Sequence, residues 1–136
     1  MLFEELIKCI KEEDYYRTEE MLNLVQLRCD AFEYVDRLLR FMEENPSVNY
    51  GMPGPIVHYM EQFYLSGYEN SLYNSMVRRP TSHTLWMLNR LLNSTDLVDR
   101  ERYLTLLEDV VESAVVSSDI REEAACYLRF QQEKEE

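Results

Sequence analysis

The chain has 136 residues, 46% hydrophobic and 12% aromatic, which is one domain's worth of sequence with enough apolar surface to bury a core. Against 26 acidic residues stand 14 basic ones, so the net charge is -12, a field that repels phosphate and argues against a nucleic-acid surface. Cys9, Cys29 and Cys126 are odd in number and widely spaced in apolar-periodic segments, which supports neither a disulfide framework nor a zinc site and reads as reduced core thiols.

Taken in order, the sequence reads as helices. Leu2, Phe3, Leu6, Ile7 and Ile10 recur at helical spacing with Glu4, Glu5, Lys8 and Lys11 opposite them, and the early acids of MLFEELIKCIKEED argue against a signal peptide. Thr18 before Glu19 and Glu20 predicts a helix start, with Met21, Leu22, Leu24, Val25 and Leu27 as its buried set. Phe32, Val35, Leu38, Leu39 and Met42 extend the period toward Pro46, and nothing between Cys29 and Ala31 decides between one helix and two. A loop over 45–52 leads to PGPIVHYMEQFYL, where Pro53 and Pro55 suit a first helical turn and a helix over 53–65 is expected. Ser66-Gly67 stops it, Tyr68 to Arg78 forms the next, and Pro80 ends that one. Thr81 or Ser82 caps a helix carrying Leu85, Trp86, Leu88, Leu91 and Leu92. After Asn93-Ser94-Thr95, the stretch from Val98 to Val116 is apolar at helical spacing through Leu104, Leu107, Val111 and Val115. Ser118 or Asp119 caps a last helix through Tyr127 and Phe130, and QQEKEE reads as a frayed tail.

No segment alternates as a half-buried strand does. The expected fold is therefore all-α over a single domain, 1–136, with seven to eight short antiparallel helices in an irregular HEAT- or armadillo-like stack or a helical bundle. No segment approaches the roughly 20 apolar residues of a spanning helix, so the expectation is a cytoplasmic protein without a membrane partner.

Charge is unevenly spread. Residues 1–45 hold 12 acids and 6 bases, residues 46–95 hold 2 and 3, and residues 96–136 hold 12 and 5. The near-neutral middle also contains every glycine, every proline and both histidines, and it reads as a shape-setting segment whose helix breakers fix changes of direction. His58 and Glu61, three apart on one helix face, have a spacing that occurs in metal and acid/base sites, with His83 as a third candidate. Without a second His-x-x-Glu segment the set is incomplete, so both histidines are read as structural side chains packed among aromatics, and no catalytic residue, metal or cofactor is expected. Gly51 to Pro55 is a turn rather than a phosphate loop, and no serine or cysteine sits in a nucleophile elbow. Arg78 and Arg79 follow Tyr50, Tyr59, Tyr64, Tyr68 and Tyr73, and they read as cations at a helix C-terminus rather than as a nucleic-acid contact.

The acidic residues Glu12, Glu13, Asp14, Glu19, Glu20, Glu43, Glu44, Glu108, Asp109 and Glu112 are the candidate partner-binding set, since solvated carboxylates on helix faces steer a basic protein. Roughly a third of the ten tyrosines are expected to join them as apolar anchors. The run PGPIVHYMEQFY followed by SLYNSMVRRPTSHTLWMLNRLLN, about the middle half of the chain, resembles small helical immunity proteins encoded beside bacterial polymorphic or contact-dependent toxins. That resemblance implies a cytosolic antidote without an active site of its own. It would bind one toxin domain, commonly a basic nuclease, and cover its active site or substrate groove with carboxylates standing where phosphates are expected. Two other readings are a helical adaptor for an unrelated basic partner and a small metal-dependent hydrolase using His58, Glu61 and His83.

Overall fold

The computed structural model describes residues 2–135. Among them are eight α-helices and no strand: α1 (Leu2–Lys11), α2 (Tyr15–Val25), α3 (Glu33–Glu44), α4 (Gly54–Glu61), α5 (Tyr68–Arg78), α6 (Ser82–Leu92), α7 (Arg100–Glu112) and α8 (Ser118–Glu135). The all-α expectation holds, and no helix among the described residues is long and apolar enough to cross a membrane. The chain gathers into two compact units, the first ending at Ser71 and the second beginning at Leu72, within α5.

In the first unit α2 packs against both α1 and α4. The chain leaves α1 through Glu13, whose left-handed backbone (φ 57°) lets the Asp14 N–H donate to the Cys9 carbonyl at 3.0 Å. Asp14 then caps α2, accepting the Arg17 N–H at 3.1 Å. This corrects the expected start at Thr18: the helix begins at Tyr15, and Thr18 is buried one turn in, its hydroxyl donating to the Asp14 carbonyl at 2.8 Å.

The chain breaks between α2 and α3. Arg28 braces the break with two bonds to Asp30, at 2.8 and 3.1 Å, which hold the Asp30 carboxyl below its ordinary range. The Tyr59 hydroxyl, from α4, donates to the Ala31 carbonyl. Burial, with Tyr34 and Asp30 nearby, pushes the Tyr59 phenol up to about 12. Leu24, Leu27 and Phe32 are exposed rather than core, as is Cys29.

The loop before α4 is fastened to the α1–α2 turn. Tyr15 donates to the Asn49 carbonyl at 2.8 Å, and the Asn49 N–H donates to the Glu13 carboxylate at 2.9 Å. α4 is shorter than the expected 53–65, the chain turning from Gln62 to a glycine that the site requires. Gly67 has φ +119°, and a Cβ there would lie 2.6 Å from Cζ of Phe32.

In the second unit α6, α7 and α8 pack against one another, α7 on α8 most extensively. Thr81 caps α6 as expected, in a reciprocal box with Thr84: the Thr84 N–H reaches Oγ1 of Thr81 at 3.2 Å, and the Thr81 N–H reaches Oγ1 of Thr84 at 3.0 Å. α7 is trimmed at both ends relative to 98–116, leaving Val98 and Val115 exposed. Ser117, rather than Ser118 or Asp119, supplies the oxygen at the start of α8, accepting the Ile120 N–H at 3.4 Å. Cys126 is exposed, so of the three thiols only Cys9 is in the core.

The tail is the largest departure. Residues 131–135 continue α8. Gln131 is fully buried, with Nε2 donating to Oδ1 of Asn89 at 2.7 Å and of Asn93 at 3.0 Å, while its Oε1 accepts Nη2 of Arg100 at 2.9 Å. Lys134 donates to the same Asn93 oxygen at 2.9 Å. The last residue of the QQEKEE run, Glu136, lies outside the described residues.

Candidate protein-interaction surface

α2 turns Thr18, Met21, Leu22 and Val25 inward, toward the helices it packs on. At about 100° per residue, Tyr16, Glu19, Glu20, Asn23 and Leu24 then share the opposite face. The Leu27 N–H bonds the Leu24 carbonyl at 3.2 Å and Gln26 keeps helical dihedrals, so the chain holds its course for two residues past Val25 and places Leu27 on the same stripe. The stripe spans an arc of about 140° and a length of about 16 Å. Tyr16 is 75% exposed, Leu24 63% and Leu27 80%. Glu19 and Glu20 are exposed too and make no side-chain hydrogen bond or ion pair with any described residue. Arg17 borders the stripe on the Leu24 side. One helix face thus joins an aromatic ring, two leucines and two unneutralised carboxylates, the mixture that lets a surface both steer and hold a partner.

The other predicted acids divide by environment. Asp14 is spent on the α2 cap, and Glu13 on the Asn49 amide. Glu12 is exposed beside them. Glu43 is only 7% exposed, so its placement on a partner surface is corrected: α3 turns it inward with Leu39 and Met42, while Glu44 stays outside. On α7, Glu108, Asp109 and Glu112 are exposed with Glu101 and Thr105. That face is acidic without any exposed apolar side chain, so it offers charge and no anchor.

No protein-family model, curated protein or solved structure matches the chain significantly. Its surface chemistry must therefore be read from its own residues. His58 is exposed on α4 instead of packed among aromatics, with Glu61 half-buried one turn on. His83 is half-buried at the start of α6 with its ring 5.3 Å from that of Trp86, and burial lowers it to about 4. Among the described residues no group of three or more His, Cys, Asp and Glu side chains is placed to hold a metal ion.

Tyr16, Leu24 and Leu27 are the members of the surface that the sequence did not reveal. A signal was present: Met21, Leu22, Leu24, Val25 and Leu27 cannot share one helix face, since Leu27 falls about 240° around from Met21. Of the tyrosines, Tyr15 and Tyr16 are the exposed pair, while Tyr50, Tyr59 and Tyr68 of the central run are buried.

Proposed function

We propose that this protein neutralises a basic protein partner, as an immunity protein neutralises its toxin domain, by docking through the outward face of α2. The observation that carries this reading is the coincidence, on one face, of free carboxylates at Glu19 and Glu20 with exposed Tyr16, Leu24 and Leu27. Charge complementarity names the partner's sign: a surface of a chain with net charge -12 attracts a lysine- and arginine-rich one and accelerates the encounter. A nuclease groove built for phosphates fits that description, with Glu19 and Glu20 occupying phosphate positions. The aromatic and leucine side chains then lose water on contact and slow dissociation. The reading assigns no catalytic residue, no cofactor and no metal, and it places the encounter in the cytoplasm.

The test is co-expression with the polypeptide encoded immediately upstream. The expected result is a stable complex on co-purification and relief of that polypeptide's toxicity, both lost in Tyr16→Ala/Leu27→Asp. Binding without protection favours the adaptor reading, and neither binding nor protection removes the immunity reading.

A further inference from the structure

Between α1 and α2 a groove of about 500 Å³ is lined by Glu5, Lys8, Cys9, Glu12, Asp14 and Arg17. Cys9 is buried with its thiol bonded to Met21, and Asp14 caps α2, so Glu5, Lys8, Glu12 and Arg17 supply the groove's exposed chemistry. None of these four side chains makes a hydrogen bond or ion pair with a described residue. The two cations stand apart from the other bases of this flank. Residues 1–45 hold six bases. Arg28 and Arg40 are paired with Asp30 and Asp36, Arg37 stacks on Phe3 at 3.9 Å, and Lys11 lies over Phe41 at 5.9 Å. Among the described residues only Lys8 and Arg17 of the six have no such partner, although three carboxylates line the same groove. Arg17, one residue from Tyr16 and three from Glu20, joins the groove to the exposed stripe of α2. A surface basic throughout, laid on that stripe, would bring its cations against Lys8 and Arg17, and like charges brought together in an interface reject a partner.

We infer that Lys8 and Arg17 set the specificity of the docking face, and that the partner presents a carboxylate to this groove within the basic surface that meets Glu19 and Glu20. The groove holds both signs of charge, so it fits a segment in which an acid stands beside a lysine or arginine. The acid takes Lys8 and Arg17, and the base takes Glu5 or Glu12. The inference rests on the α2 docking reading and adds the chemistry that tells one basic partner from another.

The test compares binding of wild type, Lys8→Gln/Arg17→Gln and Tyr16→Ala/Leu27→Asp, each as the full chain, to the purified upstream polypeptide, with polylysine as a second probe. Lys8 and Arg17 are exposed and glutamine keeps a high helix propensity, so the fold is retained. Loss of two positive charges makes the chain more acidic, and charge alone would then tighten binding to any basic protein. The inference predicts the opposite for the upstream polypeptide, about tenfold or more weaker binding by the glutamine variant, together with tighter binding to polylysine. It is overturned if the glutamine variant binds the upstream polypeptide as tightly as wild type or more tightly, and a loss confined to Tyr16→Ala/Leu27→Asp then leaves the docking face standing. Absence of wild-type binding removes the docking reading and this inference with it.

Discussion

His83 shows how a single side chain ties the fold to pH. The ring is half-buried against Trp86, and burial lowers its pKa from 6.5 to about 4, favouring the neutral form in the folded protein. An unfolded chain takes up the proton near 6.5, so between about 6.5 and 4 the unfolded state binds more protons and stability falls as pH drops. Below that window both states are protonated and the loss levels off. Urea unfolding of wild type and His83→Gln across pH 7.5 to 4 checks this. The stability difference between the two should be constant above about pH 7 and shift against the wild type on acidification through the window. Parallel pH profiles would show that the imidazole is not held neutral. The same scale accounts for the candidate acids: of neighbours in sequence, Glu13 and Asp14 are bound to backbone N–H groups, whereas Glu19 and Glu20 are not.

At the scale of elements, the end of α8 is held chiefly by a buried amide, that of Gln131. Gln131 joins α8 to Asn89, to Asn93 and to Arg100 at the start of α7, so replacing it removes three hydrogen bonds at once and takes a partner from the half-buried Asn89 and Arg100 side chains. Gln131→Leu should cost about 2–4 kcal/mol, against less than about 0.5 kcal/mol for exposed Gln132→Ala, by chemical denaturation. Equal stabilities would mean that the tail contributes nothing. Nothing local announces this bond, because its partners on α6 and in the loop after it lie 38 to 42 residues away. By contrast the start of α6 was legible, since Thr81 and Thr84 carry the cap within one turn. The turn into α2 was not, because Glu13 takes a left-handed conformation in which glycine or asparagine is the usual marker. The α2–α3 break was undecidable for the same reason as the tail: Tyr59, 28 residues on, bonds the Ala31 carbonyl.

For the whole molecule, the distribution of charge follows from burial. The near-neutral middle contributes Tyr50, Ile56, Val57, Tyr59, Met60, Leu72, Met76 and Leu85 to the cores, which leaves it little surface to charge. The two acidic flanks look alike in composition, and their acidic helix faces differ in exposed apolar content. The α2 stripe carries Tyr16, Leu24 and, just past the helix end, Leu27 among its carboxylates, whereas the exposed face of α7 carries none, the exposed Val98, Val115 and Phe130 of that flank lying outside α7. Composition located the flanks, and only the helix phase separated them. The account is tested most directly by binding kinetics against the purified upstream polypeptide, comparing wild type with Glu19→Lys/Glu20→Lys, Tyr16→Ala and Glu108→Lys/Asp109→Lys. The α2 charge reversal should slow association about tenfold at low salt, with the difference shrinking as salt rises, and Tyr16→Ala should raise the dissociation rate about tenfold or more. The α7 pair should dissociate at the wild-type rate. Wild-type kinetics for both α2 variants, or a loss of binding confined to the α7 variant, would contradict the assignment of the α2 face as the docking surface.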